Sequence, residues 1–212
     1  MTRAFLETIK TVGCAGGRET GYGELLYGLV RTTQPDTILE IGSWYGYSAL
    51  YMAEACKDNK IGRLYAVDDW SLSKDSRPAI EEALHFAQLT HLVTLINGDS
   101  LQIEWPKVID FAFLDGNHSY EYVKAETERA ISREAKTIVL HDSTSWEGIA
   151  RYVAELRSEN GIVRLNEASF TSRIEFDILE LSKFHGLTVL QKREPKPKPT
   201  FTEAEHPAGY LA

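Results

Sequence analysis

Apolar residues along the chain fall into two alternating patterns. Short, nearly continuous apolar runs at Thr37–Ile41, Arg63–Val67, Val93–Ile96, Asp110–Leu114 and Thr137–His141 predict buried strands. Between them, stretches at about Tyr47–Cys56, Pro78–Leu89, Tyr120–Ile131 and Glu147–Arg157 carry the spacing of helices. Strands alternating with helices over short connections are parallel and joined by right-handed crossovers, which leaves helices on both faces of the sheet. Pro78 stands where a first helical turn tolerates it. A further helix at about Glu24–Thr32 precedes the first strand. After Gly161 two more strand-like runs follow, Ile162–Leu165 and Leu187–Gln191, around an ambiguous segment from Ser172 to Phe184. The run from Glu194, with Pro195, Pro197, Pro199 and Pro207, predicts an extended tail. The expected architecture is α/β: a doubly wound, Rossmann-like, mostly parallel sheet. One domain over 1–193 has a helical lead-in over about 1–34, and the tail occupies 194–212.

In such a sheet the chemistry gathers at the strands' C-terminal tips. The first tip reads Glu40-Ile41-Gly42-Ser43-Trp44-Tyr45-Gly46-Tyr47-Ser48-Ala49, a strand turning on two glycines into an amphipathic segment, Ala49 to Ala55. Glycines there let backbone pass close to a ligand. The spacing is not the three-glycine fingerprint of dinucleotide sites, and Glu40 disfavours a pyrophosphate. An acidic residue suits a cationic ligand, and S-adenosylmethionine carries a sulfonium and an ammonium. Gly42, Ser43, Gly46 and Ser48 share this turn and are candidate cofactor contacts with Glu40. Gly16, Gly17, Gly21 and Gly23 suggest a loop able to fold over a ligand.

The second strand ends in Asp68-Asp69, where an acidic side chain accepts from ribose hydroxyls; either residue fits, and a solvated loop carboxylate is the bland alternative. The third ends in Asn97-Gly98-Asp99-Ser100. Asp99 could accept from an adenine amino group and Ser100 donate to a ring nitrogen, although a plain turn explains the same residues. The fourth and fifth end in Asp115 and Asp142, brought together at one rim. Paired carboxylates repel unless a proton or cation intervenes, and Mg²⁺ or a similar divalent ion answers this; helix N-capping is the competing role. His118, three residues after Asp115, is placed to act as a general base, whereas His141 is expected to point to the opposite side of its strand. Trp70–Arg77, Trp146, Trp44 and Tyr45 are wall candidates that packing explains equally well.

Composition narrows the classes. With 23 basic and 31 acidic residues the net charge is −8 and there is no dense basic cluster, which argues against nucleic-acid and membrane-surface partners. No apolar run reaches membrane-spanning length, and the start carries Arg3, Glu7 and Lys10; a cytoplasmic protein is expected. Cys14 and Cys56 share no metal-type spacing, and Cys56 reads as a buried small hydrophobe. A homodimer is possible, with no readable seam.

Glu40-Ile41-Gly42-(x)3-Gly46-Tyr47-Ser48-Ala49 resembles the first motif of catechol O-methyltransferase-type, class I S-adenosylmethionine-dependent methyltransferases. Leu114-Asp115-Gly116-Asn117-His118-Ser119-Tyr120, followed by Val139-Leu140-His141-Asp142, is similar to the branch of macrocin-type sugar O-methyltransferases and cephalosporin-hydroxylase-like proteins. The match spans roughly Asp36 to Glu155. The resemblance implies seven strands with the last antiparallel. It places Glu40 and Gly42 near the methionine moiety and Asp68 on the ribose. It makes Asp115 and Asp142, with Ser143 beside them, ligands of a Mg²⁺-like ion that also binds the hydroxyl of a small-molecule acceptor, and it puts His118 at the base position. Catechol enzymes have lysine where His118 falls and asparagine where Ser143 falls, and Asn117 replaces the branch's usual aspartate. A nicotinamide oxidoreductase and a non-catalytic adenosyl-ligand binder are the rival readings. The first lacks its glycine fingerprint, and the second leaves His118 and both carboxylates without work.

Overall fold

The computed structural model describes residues 5, 7–8, 21–159, 161–167, 170–183 and 185–194. Five strands, β1 (Thr37–Ile41), β2 (Arg63–Asp68), β3 (Val93–Asn97), β4 (Phe111–Leu114) and β5 (Thr137–His141), lie parallel in the order 3-2-1-4-5. Three antiparallel strands extend the sheet beyond β5: β8 (Leu187–Lys192), then β7 (Phe170–Leu181), then β6 (Ile162–Glu167). The last strand in sequence is antiparallel as expected, but the described sheet has eight strands rather than seven. The ambiguous segment is β7. Buried Phe176 alternates there with exposed Glu175 and Asp177, but exposed Leu179 and half-buried Glu180, paired with Arg157, reverse the pattern. Cys14, Gly16, Gly17, His206 and nearly all of the proline-rich tail lie outside the described residues, and Gly21 and Gly23, expected in a loop, stand at the N-cap and in the first turn of a helix, Tyr22–Thr33.

Alternate strand residues feed two cores. On one face Ile38, Leu64, Ala66, Phe111, Phe113 and Val139 pack against α1 (Tyr22–Thr33), α2 (Tyr47–Asn59) and α3 (Ser76–Phe86). On the other Leu39, Ile41, Ala112, Leu114, Ile138 and Leu140 pack against α4 (Tyr120–Ser132) and α5 (Glu147–Ser158). The α2 segment is not the one-sided helix its sequence suggested: Ser48 to Cys56 are all buried, because α1 packs over it as well. Among the described residues no helix is long and apolar enough to cross a membrane.

Register sets the strand tips in one row. Ile41 pairs with Val67 and Leu114, Asp68 with Asn97, and Leu114 with Leu140. From β1 the chain order runs outward to β2 on one side and to β4 on the other, so a crevice opens between β1 and β4. Gly42 stands at its floor with φ 86°, and a Cβ there would lie 2.1 Å from the Asp115 carbonyl oxygen. Gly42→Ala should therefore lower unfolding stability by about 2–3 kcal/mol or more, from left-handed strain plus a backbone collision. Urea denaturation checks this, and a change below about 0.5 kcal/mol would contradict the close packing of β1 on β4.

Candidate active site

The crevice opens into a cavity of about 1050 Å³ that runs along the row of strand tips. Gly42, Ser43 and Ser48, Asp68 and Asp69, Asp99 and Ser100, and Asp115, His118 and Asp142 all line it. Residues dispersed over a hundred positions converge because each follows the C-terminal end of a parallel strand.

Glu40 is fully buried behind the glycine turn and is not among the lining residues. Its carboxylate accepts the Ser43 hydroxyl at 2.6 Å on one oxygen and the Ser48 hydroxyl on the other. Burial raises its pKa to about 7, against the opposing bonds from Ser43 and Ser48 and with further upward pressure from Asp115 and Asp68. Its contact with the cavity therefore runs through the two serines.

Asp68 accepts the Trp44 N–H at 2.8 Å and the Trp70 N–H at 2.6 Å. Both tryptophans adopt positive φ, 42° and 51°, a costly backbone for bulky residues, and one carboxylate ties both loops down. Asp69 is exposed and accepts the Ser71 N–H at 2.8 Å, which holds its pKa down. Asp99 accepts the Leu101 N–H and the Tyr122 hydroxyl, at 2.9 and 3.0 Å. Ser100 is buried and donates to Glu126 on α4.

At the other end Asp115, His118 and Asp142 meet, one ligand-type atom from each lying within 4.8 Å of the others. His118 Nε2 is 3.4 Å from Asp115 Oδ1 and 3.5 Å from Asp142 Oδ2, and its ring stacks on Trp146 at 4.8 Å. His141 Nδ1 lies 3.0 Å from Asp115 Oδ1. Burial pushes the Asp115 pKa up, but its bonds to His118 and His141 and their charges outweigh this, so it sits below the ordinary value. Neither aspartate caps a helix. The N-caps are Ser119, which accepts the Tyr122 N–H at 3.4 Å, and Trp146. Asp142 instead holds φ 57° at the rim. Two carboxylates and an imidazole at this spacing are a donor set that fits a divalent cation.

A family model described as a methyltransferase domain matches residues 39–143. The chain is 27% identical to the catechol O-methyltransferase of Sus scrofa over 180 residues, 77% of this chain and 90% of that one. It is 25% identical to the caffeoyl-CoA O-methyltransferase of Stellaria longipes over 182 residues, 80% and 73% of the two chains. An uncharacterized protein of Sinorhizobium fredii is 28% identical over 142 residues, but that match covers 60% of this chain and 16% of the longer relative. Among solved structures, the SAH-bound Podospora anserina methyltransferase PaMTH1 superposes with a TM-score of 0.67 at 19% identity, covering 92% and 89% of the two chains. These matches support a class I S-adenosylmethionine-dependent O-methyltransferase of the catechol O-methyltransferase-like branch.

Within this methyltransferase several wall residues escape sequence reasoning. Tyr22 reaches the cavity from α1, its ring 4.6 Å from that of His141. His185 lines the cavity from the loop before β8, its Nδ1 3.0 Å from the Ser145 hydroxyl. His141 does not point away from the site. Leu114 pairs with Leu140, so Asp115 and His141 stand side by side at the next position, and strand register would have found it. Ser143 is not among the lining residues; its backbone N–H donates to Gly186, and a Cβ built on Gly186 would lie 2.7 Å from its hydroxyl. Trp44, Tyr45, Ser71, Leu72 and Trp146 do line the cavity, whereas Trp70 is buried under the Arg77 guanidinium at 4.6 Å.

Burial of Glu40 has a pH signature in the methyltransferase. Its folded pKa of about 7 lies above the ordinary 4.5, so between these values the folded state holds more protons than the unfolded one. The stability contributed by the neutral form is complete below the unfolded value and is lost as pH rises through the folded one, about 3 kcal/mol in all. Denaturation of wild type and Glu40→Gln over this window should show their stability difference shifting toward the variant as pH rises. A pH-independent difference would remove Glu40 as the source.

Proposed function

We propose that this methyltransferase moves the methyl group of S-adenosylmethionine to a hydroxyl oxygen of a small molecule, assisted by a divalent cation. The observation that carries this reading is the convergence of Asp115, His118 and Asp142 in the same cavity as the glycine turn and Asp68. The names of the catechol and caffeoyl-CoA relatives support oxygen as the accepting atom. The ribose lies against Asp68, the methionine end against Gly42, Ser43 and Ser48, and the adenine near Asp99 and Ser100. The sulfonium methyl then faces the aspartate–histidine end, where Asp115 and Asp142 would hold Mg²⁺ or a similar ion with His118 beside them. Such an ion, when bound, makes a nearby hydroxyl more acidic.

Chemically, the acceptor O–CH₃ bond forms as the S–CH₃ bond breaks, and S-adenosylhomocysteine leaves. The acceptor's proton passes to His118 Nε2. Stacking on Trp146 fixes the imidazole plane, and Tyr22, its ring beside that of His141, borders the acceptor end with Trp146. Alignment supplies much of the rate because the sulfonium is already a reactive donor. A second reading has an observation of its own: at 3.4 and 3.5 Å from the two carboxylates, Nε2 stands where a third ligand to the ion would stand.

Asp68→Ala should weaken S-adenosylhomocysteine binding by roughly 1.5–3 kcal/mol in calorimetry, through lost charge-assisted ribose bonds. Unchanged affinity would move the ribose to Asp69. Asp115→Asn and Asp142→Asn should each abolish Mn²⁺ binding in titration while cofactor binding survives, and full wild-type activity in excess chelator would sink the metal. His118→Ala should cut turnover by about 10²–10⁴-fold with Mn²⁺ affinity intact; loss of Mn²⁺ binding in that variant makes His118 a ligand instead of the base.

A further inference from the structure

Glu126 is a buried carboxylate, 1% exposed, that the proposed chemistry does not use. It projects from α4 toward the tip of β3 and accepts the hydroxyl proton of Ser100, a cavity-lining residue. The same helix grips the rest of that loop. Arg129 donates to the Ser100 carbonyl at 2.9 Å and to the Ile103 carbonyl at 2.8 Å, with its guanidinium 4.5 Å from the Trp105 ring centroid. Trp105 Nε1 donates to the same Ser100 carbonyl at 2.7 Å. Three donor–acceptor bonds therefore fix Ser100, and the direction of its hydroxyl is not free.

A serine hydroxyl has one proton and two lone pairs. With the proton committed to Glu126, the oxygen can only accept from whatever occupies the cavity. Asp99 beside it is likewise an acceptor, already holding the Leu101 N–H, the Tyr122 hydroxyl and the Gln102 amide. The β3 tip thus presents lone pairs and no side-chain proton. An exocyclic amino group has two protons and can donate one to each of these acceptors, whereas a carbonyl in the same place brings its own lone pairs against both, the N1–H of the inosyl base being directed beside that position rather than at it. This reverses the expectation that Ser100 donates to a ring nitrogen.

We infer that Glu126 is a positioning residue that selects an adenosyl over an inosyl cofactor, by taking the Ser100 proton and leaving that oxygen only as an acceptor. The inference rests on the adenine placement proposed above. Burial raises the Glu126 pKa to about 7, so the carboxylate form on which the selection depends is fully present only above neutrality.

The experiment is calorimetric titration of the full chain at about pH 8.5 with S-adenosylhomocysteine and with S-inosylhomocysteine. Wild type should favour the adenosyl compound by about 10- to 100-fold. In Glu126→Gln the amide can donate to Ser100 and release its proton toward the ligand, so this ratio should fall by about tenfold. In Ser100→Ala it should also narrow, which keeps a readout should the glutamine variant fail to fold. A ratio narrowed by Ser100→Ala but not by Glu126→Gln overturns the role of Glu126. Equal weakening of both ligands marks a purely structural role and overturns it too. Asp68→Ala separates this inference from the placement beneath it. If Asp68→Ala weakens S-adenosylhomocysteine while the ratio is unchanged in both other variants, only the Glu126 inference falls. If Asp68→Ala binds as tightly as wild type and the ratio never changes, the placement falls with it.

Discussion

The crevice depends on how closely β1 and β4 approach where they leave the sheet. Gly42 has no side chain to hold the strands apart, and the Asp115 N–H donates to the Ile41 carbonyl at 2.9 Å, one step past the strand ends. Beyond that point the two chains part, β1 into the helix α2 on one face and β4 toward α4 on the other. The lining groups at the tips of β2, β3, β4 and β5 inherit their places from this junction through the register of the parallel strands. A side-chain period of two means that a slip of one residue would turn Asp68, Asp115 and His141 toward the wrong sides.

Buried carboxylates then give the cavity its electrostatic character, and their partners decide the sign. Glu40 and Glu126 meet neutral serine hydroxyls, so desolvation prevails and both pKa values rise to about 7. Asp115 is half-buried and also loses water, but two imidazoles face it and its pKa falls. One end of the cavity thus holds fixed negative charge beside histidines, while the glycine turn and the β3 tip present serine oxygens whose protons are already given away. Such a lining favours a ligand bearing positive charge and amino groups at one end and tolerates a cation at the other. An adenosyl sulfonium with its ammonium group has that distribution.

Strand positions were legible because β1, β4 and β5 are buried on both faces, β2 and β3 also read as short apolar runs, and the acidic residues at the strand ends stand out against that background. Gly42, Asp68, Asp99, Asp115 and Asp142 were found in this way and line the cavity, whereas Gly46 of the same turn packs against Ile80 and is not among the lining residues. Reading failed where a second element altered the pattern. The helix α2 lost its polar face to α1, and β7 was obscured by Leu179 and Glu180 standing on unexpected sides. Ser143 follows Asp142 in the chain, yet Gly186 rather than the cavity takes up the space beside it.

The amino-acid sequence by itself determined the alternation of strand and helix, the turn at Gly42 and the row of carboxylates at the tips, because these follow from local periodicity and from where a strand must end. Only the tertiary structure decided which side chains share that space. Tyr22 and His185 come from segments far from any motif, His141 is aimed by the pairing of β4 with β5, and Glu126 reaches Ser100 across 26 residues. The protonation of the buried acids was decided there too, since a carboxyl group's pKa depends on how much water it loses and which groups face it, and neither is a property of its neighbours along the chain.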